Sequence, residues 1–175
     1  MTRFLGLLRG INVGGNNRMP MKALIALLEE LGASEVRTYI QSGNVSFRWP
    51  SKAKAACAKT IRAAIHESFG FEVSLVLLEP KELDAAMLAN PFPRATVEPK
   101  TLHLSLLEKK PTKPDLAGLD ALKGPTESWA LNDKVFYLHA PDGIGRSKLA
   151  ARAEKLLGVT STGRNWRTLN ALREL

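Results

Sequence analysis

The sequence predicts an α+β protein built from two intertwined ferredoxin-like halves, a β-α-β-β-α-β unit and a diverged repeat, with a C-terminal helix. Two observations predict this fold. Strand-like runs and amphipathic helical segments alternate in nearly the same order twice along the chain. Glycine closes the first helix of each half, at Gly32 and Gly124, and hairpin turns follow at similar offsets, at Gly43 and Asp133. This repetition indicates a duplication that has since diverged.

The first half, with a glycine-rich loop, is predicted to span residues 1–78. Apolar residues at helical or alternating spacing define its elements. In order these are a strand in RFLGLLR, a helix from near Pro20 to Gly32, a hairpin of EVRTYIQ and VSFRW turning at SGN, a helix from about Ser51 to Phe69, and the strand EVSLVLLEP.

The second half is predicted to span residues 79–175 and to pack on the first. A helix in KELDAAMLA and a Pro-rich bend lead into the strand TLHLSLLEK, the helical region PDLAGLDALKG, a hairpin of ESWAL and KVFYLHA, and the helix RSKLAARAEKLLG. The last segment, VTSTGRNWRTLNALREL, is predicted as a loop and a terminal helix in place of the final strand. Strands that are apolar on both faces need cover on both sides, which favours packing between the halves.

Composition places the chain among ordinary globular proteins. It has 175 residues, of which 45% are apolar and 24% charged. No run approaches the roughly 20 apolar residues of a membrane span, and no leader pattern follows Met1. The sequence therefore predicts a cytoplasmic protein with no membrane partner, and it leaves the oligomeric state open. The single Cys57 lies on an apolar helix face and is expected to be a core residue rather than a reactive thiol.

The formal net charge of +8 favours partners that carry negative charge. The excess of basic residues is concentrated at the two ends of the chain, which makes an RNA- or DNA-binding module the main alternative function. Phe47 and Trp49, however, share a strand face with Val45, as core residues do, and few aromatic residues are present for base stacking. A structural or protein-interaction domain is the remaining alternative.

The loop RGINVGGNNRM joins the first strand to the first helix. Glycines at such a junction allow close backbone approach to a ligand, and the start of the helix adds partial positive charge. Gly10 and Gly15 have the spacing of a phosphate-binding P-loop, but Asn16 and Asn17 replace its lysine and hydroxyl residue, which argues against a standard P-loop ATPase. The sequence predicts a site for a small anionic or phosphorylated molecule, with a nucleotide as one candidate ligand and a plain tight turn as the alternative.

The residues expected to bind this ligand are polar or glycine residues at turns and predicted helix starts. They are Arg9, Asn12, Gly14, Gly15, Asn17 and Arg18 in the first loop, Gln41, Ser42 and Asn44 at the hairpin turn, and Arg146, Arg164 and Asn165 at two later helix starts. If the halves pack together, the loop and the terminal segment are expected to serve one ligand. The alternatives are a simple hairpin turn and ordinary surface arginines.

The sequence gives no catalytic residue, so it does not decide whether the protein is an enzyme. His66, His103 and His139 are far apart and form no metal-ligand pattern, and no cofactor motif is present. Glu127 and Asp142 flank the second hairpin and could act as an acid or a base, although solvated loop carboxylates are commoner.

Three motifs, RGINVGGNNRM, TYIQSGNV and RNWRTL, together resemble one family, the bacterial proteins catalogued as domain of unknown function 1697. The resemblance covers nearly the whole chain. It implies a cytosolic bacterial protein with two intertwined α+β halves of ferredoxin-like character, and it implies no activity. The matching positions are Arg9, Gly10, Asn12, Gly14, Gly15, Gln41, Ser42, Gly43, Asn44, Arg164, Asn165, Trp166 and Thr168. Many relatives carry lysine or histidine where this chain has Asn16, so no charged role is implied at that position here.

Overall fold

A computed structural model describes all residues, 1–175. The chain divides into two compact units, the first comprising Met1–Ala85 with Ala171–Leu175 and the second Ala86–Asn170. Each unit contains one four-stranded antiparallel sheet. The predicted α+β class with two similar halves is confirmed.

The first unit follows the order β-α-β-β-α-β. Its elements are β1 (Thr2–Arg9), α1 (Met21–Glu30), β2 (Ser34–Tyr39), β3 (Asn44–Trp49), α2 (Lys54–Phe69) and β4 (Ser74–Leu78). The strand order in the sheet is β2-β3-β1-β4, and β1 pairs antiparallel with both β3 and β4. This is the ferredoxin-like arrangement, which brings the end of β1 beside the start of β3.

The second unit repeats this order and topology. After α3 (Pro80–Leu88) and a 3-10 helix (Pro93–Val97) come β5 (Leu102–Leu107), α4 (Leu116–Leu122), β6 (Ser128–Asn132), β7 (Val135–His139), a 3-10 helix (Ile144–Arg146), α5 (Lys148–Leu157), β8 (Ser161–Asn165) and α6 (Trp166–Glu174). The strand order is β6-β7-β5-β8, which is equivalent to that of the first sheet.

One predicted element is wrong: the segment Ser161–Asn165 is not a loop but the strand β8. It pairs antiparallel with β5 from Leu107 opposite Ser161 to His103 opposite Asn165. Its sequence, STGRN, lacks apolar alternation because β8 lies at the edge of the sheet, where pairing with the apolar β5 decides the conformation. The second half therefore contains the final strand that the sequence analysis expected to be replaced by a loop.

The boundary between the units also differs from the predicted division after residue 78. It falls within α3, after Ala85. The first half of α3 is tied to the first unit because Arg173 Nε donates a hydrogen bond to Asp84 Oδ1 over 2.7 Å. The second half is tied to the second unit, since the hydroxyl of Tyr137 donates to the carbonyl of Ala86 at 2.7 Å. These contacts join positions far apart in the chain, which local sequence patterns do not reveal.

The core of the first unit lies between its sheet and its two helices. It includes the apolar face of β3, where Phe47 is fully buried and Trp49 is 8% exposed, so neither ring is available to stack on a base. Cys57 belongs to the same core, and burial raises the pKa of its thiol to about 12. The prediction that Cys57 is a core residue is confirmed. None of the helices combines the length and the apolar character needed to cross a membrane.

His103 on β5 provides a pH-dependent contribution to stability. Its side chain is buried, and this burial lowers the pKa of the imidazole below its usual 6.5, although a hydrogen bond with the backbone at Thr101 acts in the opposite direction. The unfolded state therefore binds a proton more readily than the folded state, and the free energy of unfolding should fall as the pH drops below about 6.5. Urea unfolding between pH 7.5 and 5 measures this slope. His103→Gln is expected to reduce it.

The matched control for this prediction is His66→Gln, because the side chain of His66 is 56% exposed and its Nδ1 lies 3.2 Å from Glu72. An equal change of slope in both variants would contradict the role assigned to His103.

Candidate anion-binding site

The glycine-rich loop forms a small hairpin of its own. Val13 and Asn16 make an antiparallel bridge, and the Asn16 amide donates to the Val13 carbonyl over 3.0 Å. Between them Gly14 and Gly15 have φ values of 59° and 81°. Two successive positive φ angles are characteristic of a type I′ turn, the tight turn that matches the twist of paired strands. The two glycines are explained by this backbone conformation, because a Cβ at either position would meet nothing within 4 Å.

Asn12 joins this loop to the rest of the site. Its amide nitrogen donates to the carbonyls of Met19, at 2.8 Å, and Gln41, at 2.9 Å, while its Oδ1 accepts from the Met19 amide at 2.8 Å. Asn17 Nδ2 donates to the Gly10 carbonyl at 2.8 Å. Both asparagines have positive φ angles. Their side chains hold the loop backbone in place, as in the plain-turn alternative.

The turn between β2 and β3 lies directly beside the glycine-rich loop. The sequence alone did not show how far apart these two segments are. The Leu8 amide donates to the Gly43 carbonyl at 2.8 Å, and the Gln41 carbonyl receives the bond from Asn12. Asn44 is fully buried, and its Nδ2 donates to the Tyr39 carbonyl at 3.2 Å. Asn44 therefore braces the turn from within.

Asn44 Nδ2 also donates to Ser42 Oγ at 2.7 Å, so the side chains of both residues help to hold the turn. The turn is wider than predicted and includes Ile40, which was expected to continue the strand. Ile40 has a φ of 50° and is 53% exposed. Positive φ is rare for a β-branched residue, and no local sequence signal indicates it.

An open depression of about 430 Å³ lies where the two loops meet the start of α1. It is lined by Asn12, Gly15, Arg18, Met19, Pro20 and Gln41. Arg18 and Gln41 are exposed, whereas Met19 is fully buried. The depression therefore combines a cation and an amide with an apolar floor. Sequence reasoning missed Met19 and Pro20, although an apolar pair just before a helix was a visible signal for them.

The start of α1 adds partial positive charge to this depression. Pro20 is the N-cap residue, no side chain caps the helix, and the first turn contains no acidic residue. The amides of Ala23 and Leu24 both donate to the Pro20 carbonyl, so the two preceding amides begin the helix without an intrahelical partner. Such amides favour an anion. Arg9, which the sequence also predicts to bind the ligand, lies at the end of β1, where it is paired with Ser74 of β4.

The remaining predicted site residues belong to the second unit. Arg146 is exposed and ends a 3-10 helix, and the hydroxyl of Ser147 caps α5 by accepting from the Ala150 amide at 2.9 Å. Asn165 caps α6 by accepting from the Thr168 amide at 2.9 Å. These caps agree with the predicted helix starts. Their role as ligand contacts stays a prediction.

Arg164 is not at a helix start but within β8, opposite Leu104. Its guanidinium donates to the Gly163 carbonyl at 2.9 Å, and burial lowers the pKa of Arg164 to about 10. The guanidinium is therefore still charged at pH 7, in surroundings that disfavour the charge. A ligand shared by Arg164 and the first loop stays a prediction.

The two carboxylates considered for catalysis brace loops. Glu127 Oε2 accepts from the Gly124 amide at 2.8 Å, and Asp142 Oδ2 accepts from the Thr126 hydroxyl at 2.6 Å. No group of three or more histidine, cysteine or acidic side chains is arranged to hold a metal ion.

Comparison with known proteins shows the family to which the chain belongs and a solved structure with a similar fold. A family model described as "Protein of unknown function (DUF1697)" matches residues 1–137, in agreement with the family resemblance. This range includes the motifs RGINVGGNNRM and TYIQSGNV, whereas RNWRTL lies beyond it. Among solved structures, the chain is similar to the conserved bacterial protein SP0830 from Streptococcus pneumoniae, with 22% sequence identity and a TM-score of 0.74 over 99% of this chain and 97% of that one. At this identity the likeness shows the fold alone. No curated protein matches the sequence.

Proposed function

We propose a function for this chain, which belongs to the protein family DUF1697: the depression beside the glycine-rich loop binds a phosphate-bearing or other anionic small molecule. The observation that carries the proposal is the meeting of Arg18 and the uncapped start of α1 at one depression. Its volume of about 430 Å³ is within the range of small-molecule sites. The proposal concerns binding and includes no reaction.

A nucleotide is the ligand that this chemistry favours. Arg18 provides charge-assisted hydrogen bonds to a phosphate, and the first amides of α1 add partial positive charge. Met19 and Pro20 offer an apolar surface to the base, while the Gln41 amide can donate to and accept from its polar edge. Asn12 holds both loops in place around the ligand.

The proposal includes a cytosolic location. A chain with a single cysteine, buried in the core, forms no internal disulfide and is suited to a reducing compartment.

The glycine hairpin should be required for binding. Gly14→Val places a β-branched residue at a φ of 59°, which disrupts the type I′ turn, whereas Gly14→Asn introduces a residue that favours this position of the turn. We expect nucleoside mono-, di- and triphosphates to raise the Tm of the wild-type protein. Gly14→Val should weaken binding at least tenfold, with a smaller effect on stability, and Gly14→Asn should bind like the wild type.

Arg18→Gln should also weaken binding roughly tenfold, because it removes charge-assisted bonds worth about 1.5–3 kcal/mol each. The matched control is Arg152→Gln, which removes an exposed arginine from α5. The proposal is wrong if no nucleotide stabilises the protein, or if Gly14→Val and Arg18→Gln both bind normally. Salt-sensitive retention on random RNA, unchanged in these variants, would favour the nucleic-acid alternative instead.

A further inference from the structure

Three arginines project from one face of the first sheet, away from the glycine-rich loop. Arg3 on β1 lies directly opposite Arg48 on β3, and Arg37 on β2 lies opposite Ser46 on β3. Residues paired in register point to the same side of a sheet, and Ser46 and Arg48 are two residues apart. All three arginines therefore share the face opposite the one that packs Phe47 against the helices.

These side chains surround a small polar depression of about 100 Å³. Ser46 lies at its floor, where it is 2% exposed, and its hydroxyl accepts a hydrogen bond from Arg3 Nε at 3.2 Å. Glu35 also lines the depression, with Oε1 at 2.9 Å from Arg48 Nε. Arg37 Nη1 donates to an oxygen of the main-chain carboxyl group of Leu175 at 3.5 Å, the outer limit for a hydrogen bond.

The arrangement carries more positive charge than it compensates internally. Three guanidinium groups lie beside two carboxylates, that of Glu35 and the main-chain carboxyl group of Leu175, so a net positive charge remains. Like charges directly opposite each other on paired strands destabilise a sheet, as Arg3 and Arg48 should. Glu35 itself has a φ of 52° at an irregularity in the pairing of β2 with β3. A purely structural sheet face would avoid this combination, whereas an oxyanion would relieve the repulsion.

We propose that Arg3, Arg37 and Arg48, with the Ser46 hydroxyl, form a second anion site that takes a single phosphate-sized oxyanion. Guanidinium groups bind such anions through paired N–H donors, and the hydroxyl adds a further donor. The depression is much smaller than the one beside the glycine-rich loop, so it suits one phosphoryl group rather than a whole nucleotide. This inference does not depend on the proposed function.

The test uses inorganic phosphate as the probe, at constant ionic strength set with chloride. Binding is followed from the chemical shifts of the arginine Nε–H groups by NMR. Arg3→Gln and Arg37→Gln are each expected to raise the Kd for phosphate at this face roughly tenfold. Arg152→Gln and Arg18→Gln are expected to leave that Kd unchanged, which separates this site from the proposed nucleotide site.

Stability provides an independent readout. Arg3→Gln removes the hydrogen bond to Ser46 Oγ as well as one of the two facing charges, so the readout is the rise in Tm that added phosphate produces, and not the Tm in phosphate-free buffer. Phosphate should then raise the Tm of the wild type more than that of the variant. A purely structural role for Arg3 predicts that phosphate raises the Tm of both proteins equally, and this result would overturn the proposal, as would an unchanged phosphate Kd in Arg3→Gln and Arg37→Gln.

The phosphoryl group can come from a small phosphorylated molecule or from a nucleic-acid backbone. The second arm of the experiment therefore compares a short single-stranded oligonucleotide with inorganic phosphate. Weaker oligonucleotide binding in Arg3→Gln and Arg37→Gln, with a steep salt dependence, would assign the site to a nucleic-acid backbone. Oligonucleotide binding that these variants do not alter, together with their loss of phosphate binding, would assign it to a small molecule.

Discussion

Gly43→Ala is expected to lower the free energy of unfolding by about 3 kcal/mol. Two effects add at this position. The φ of Gly43 is 74°, which an L-residue adopts at a cost of roughly 1 kcal/mol. A Cβ would also lie 2.7 Å from Leu8 Cβ and 2.9 Å from Ile11 Cδ1. The Leu8 contact is close to the main chain of a central strand, so the backbone has to shift. Displacement of the turn should also disturb the bond between the Gly43 carbonyl and the Leu8 amide.

Gly70→Ala is the matched control. Gly70 belongs to the same unit and has a φ of 77°, but a Cβ there would meet nothing within 4 Å. It should cost only about 1 kcal/mol. Urea unfolding measures both variants, with an unchanged m-value as the condition for comparing them. Equal losses in the two variants would show that the contact with Leu8 is relieved easily and that the turn is not tightly seated on β1.

Asn12→Gly is expected to lower the free energy of unfolding by a similar amount, about 3 kcal/mol, because it removes three hydrogen bonds worth roughly 1 kcal/mol each. Glycine can adopt the φ of 55° at this position, so the substitution does not force a new backbone conformation. The loss is compounded at Met19, which is fully buried and whose amide and carbonyl both bond to Asn12. Nucleotide binding should also be lost, because the two loops are no longer tied together.

Asn17→Gly is the control for this prediction, since it removes a single bond, to the Gly10 carbonyl, from a residue that also has positive φ. It should cost about 1 kcal/mol. Hydrogen exchange gives the local readout: the Met19 amide should exchange much faster in Asn12→Gly and little faster in Asn17→Gly. If the Met19 amide stays protected in Asn12→Gly, Asn12 is not the link between the loops.

Part of the candidate site could be predicted from the sequence because glycine and asparagine are the residues that most readily adopt positive φ angles. The residues from Gly10 to Arg18 predict a loop with unusual backbone angles. Five residues of this loop have positive φ in the structure: Gly10, Asn12, Gly14, Gly15 and Asn17. The same pattern did not distinguish an anion-binding loop from a hairpin. That distinction depends on which amides and carbonyls pair with each other, and the Val13–Asn16 bridge and the bonds of Asn12 are properties of the folded loop.

The sequence by itself determined the two ferredoxin-like halves, because apolar periodicity and glycine positions act over a few residues and recur in both halves. It also determined the core faces of β3 and α2, including Phe47 and Cys57. Only the tertiary structure decided that the polar segment Ser161–Asn165 is a strand, that the Gln41 turn meets the Asn12 loop, and that Arg3 faces Arg48. Each of these contacts joins residues that are distant in the chain. The conformation and the neighbours of these residues depend on strand pairing and register across a sheet, which the propensities of neighbouring residues in the sequence do not determine.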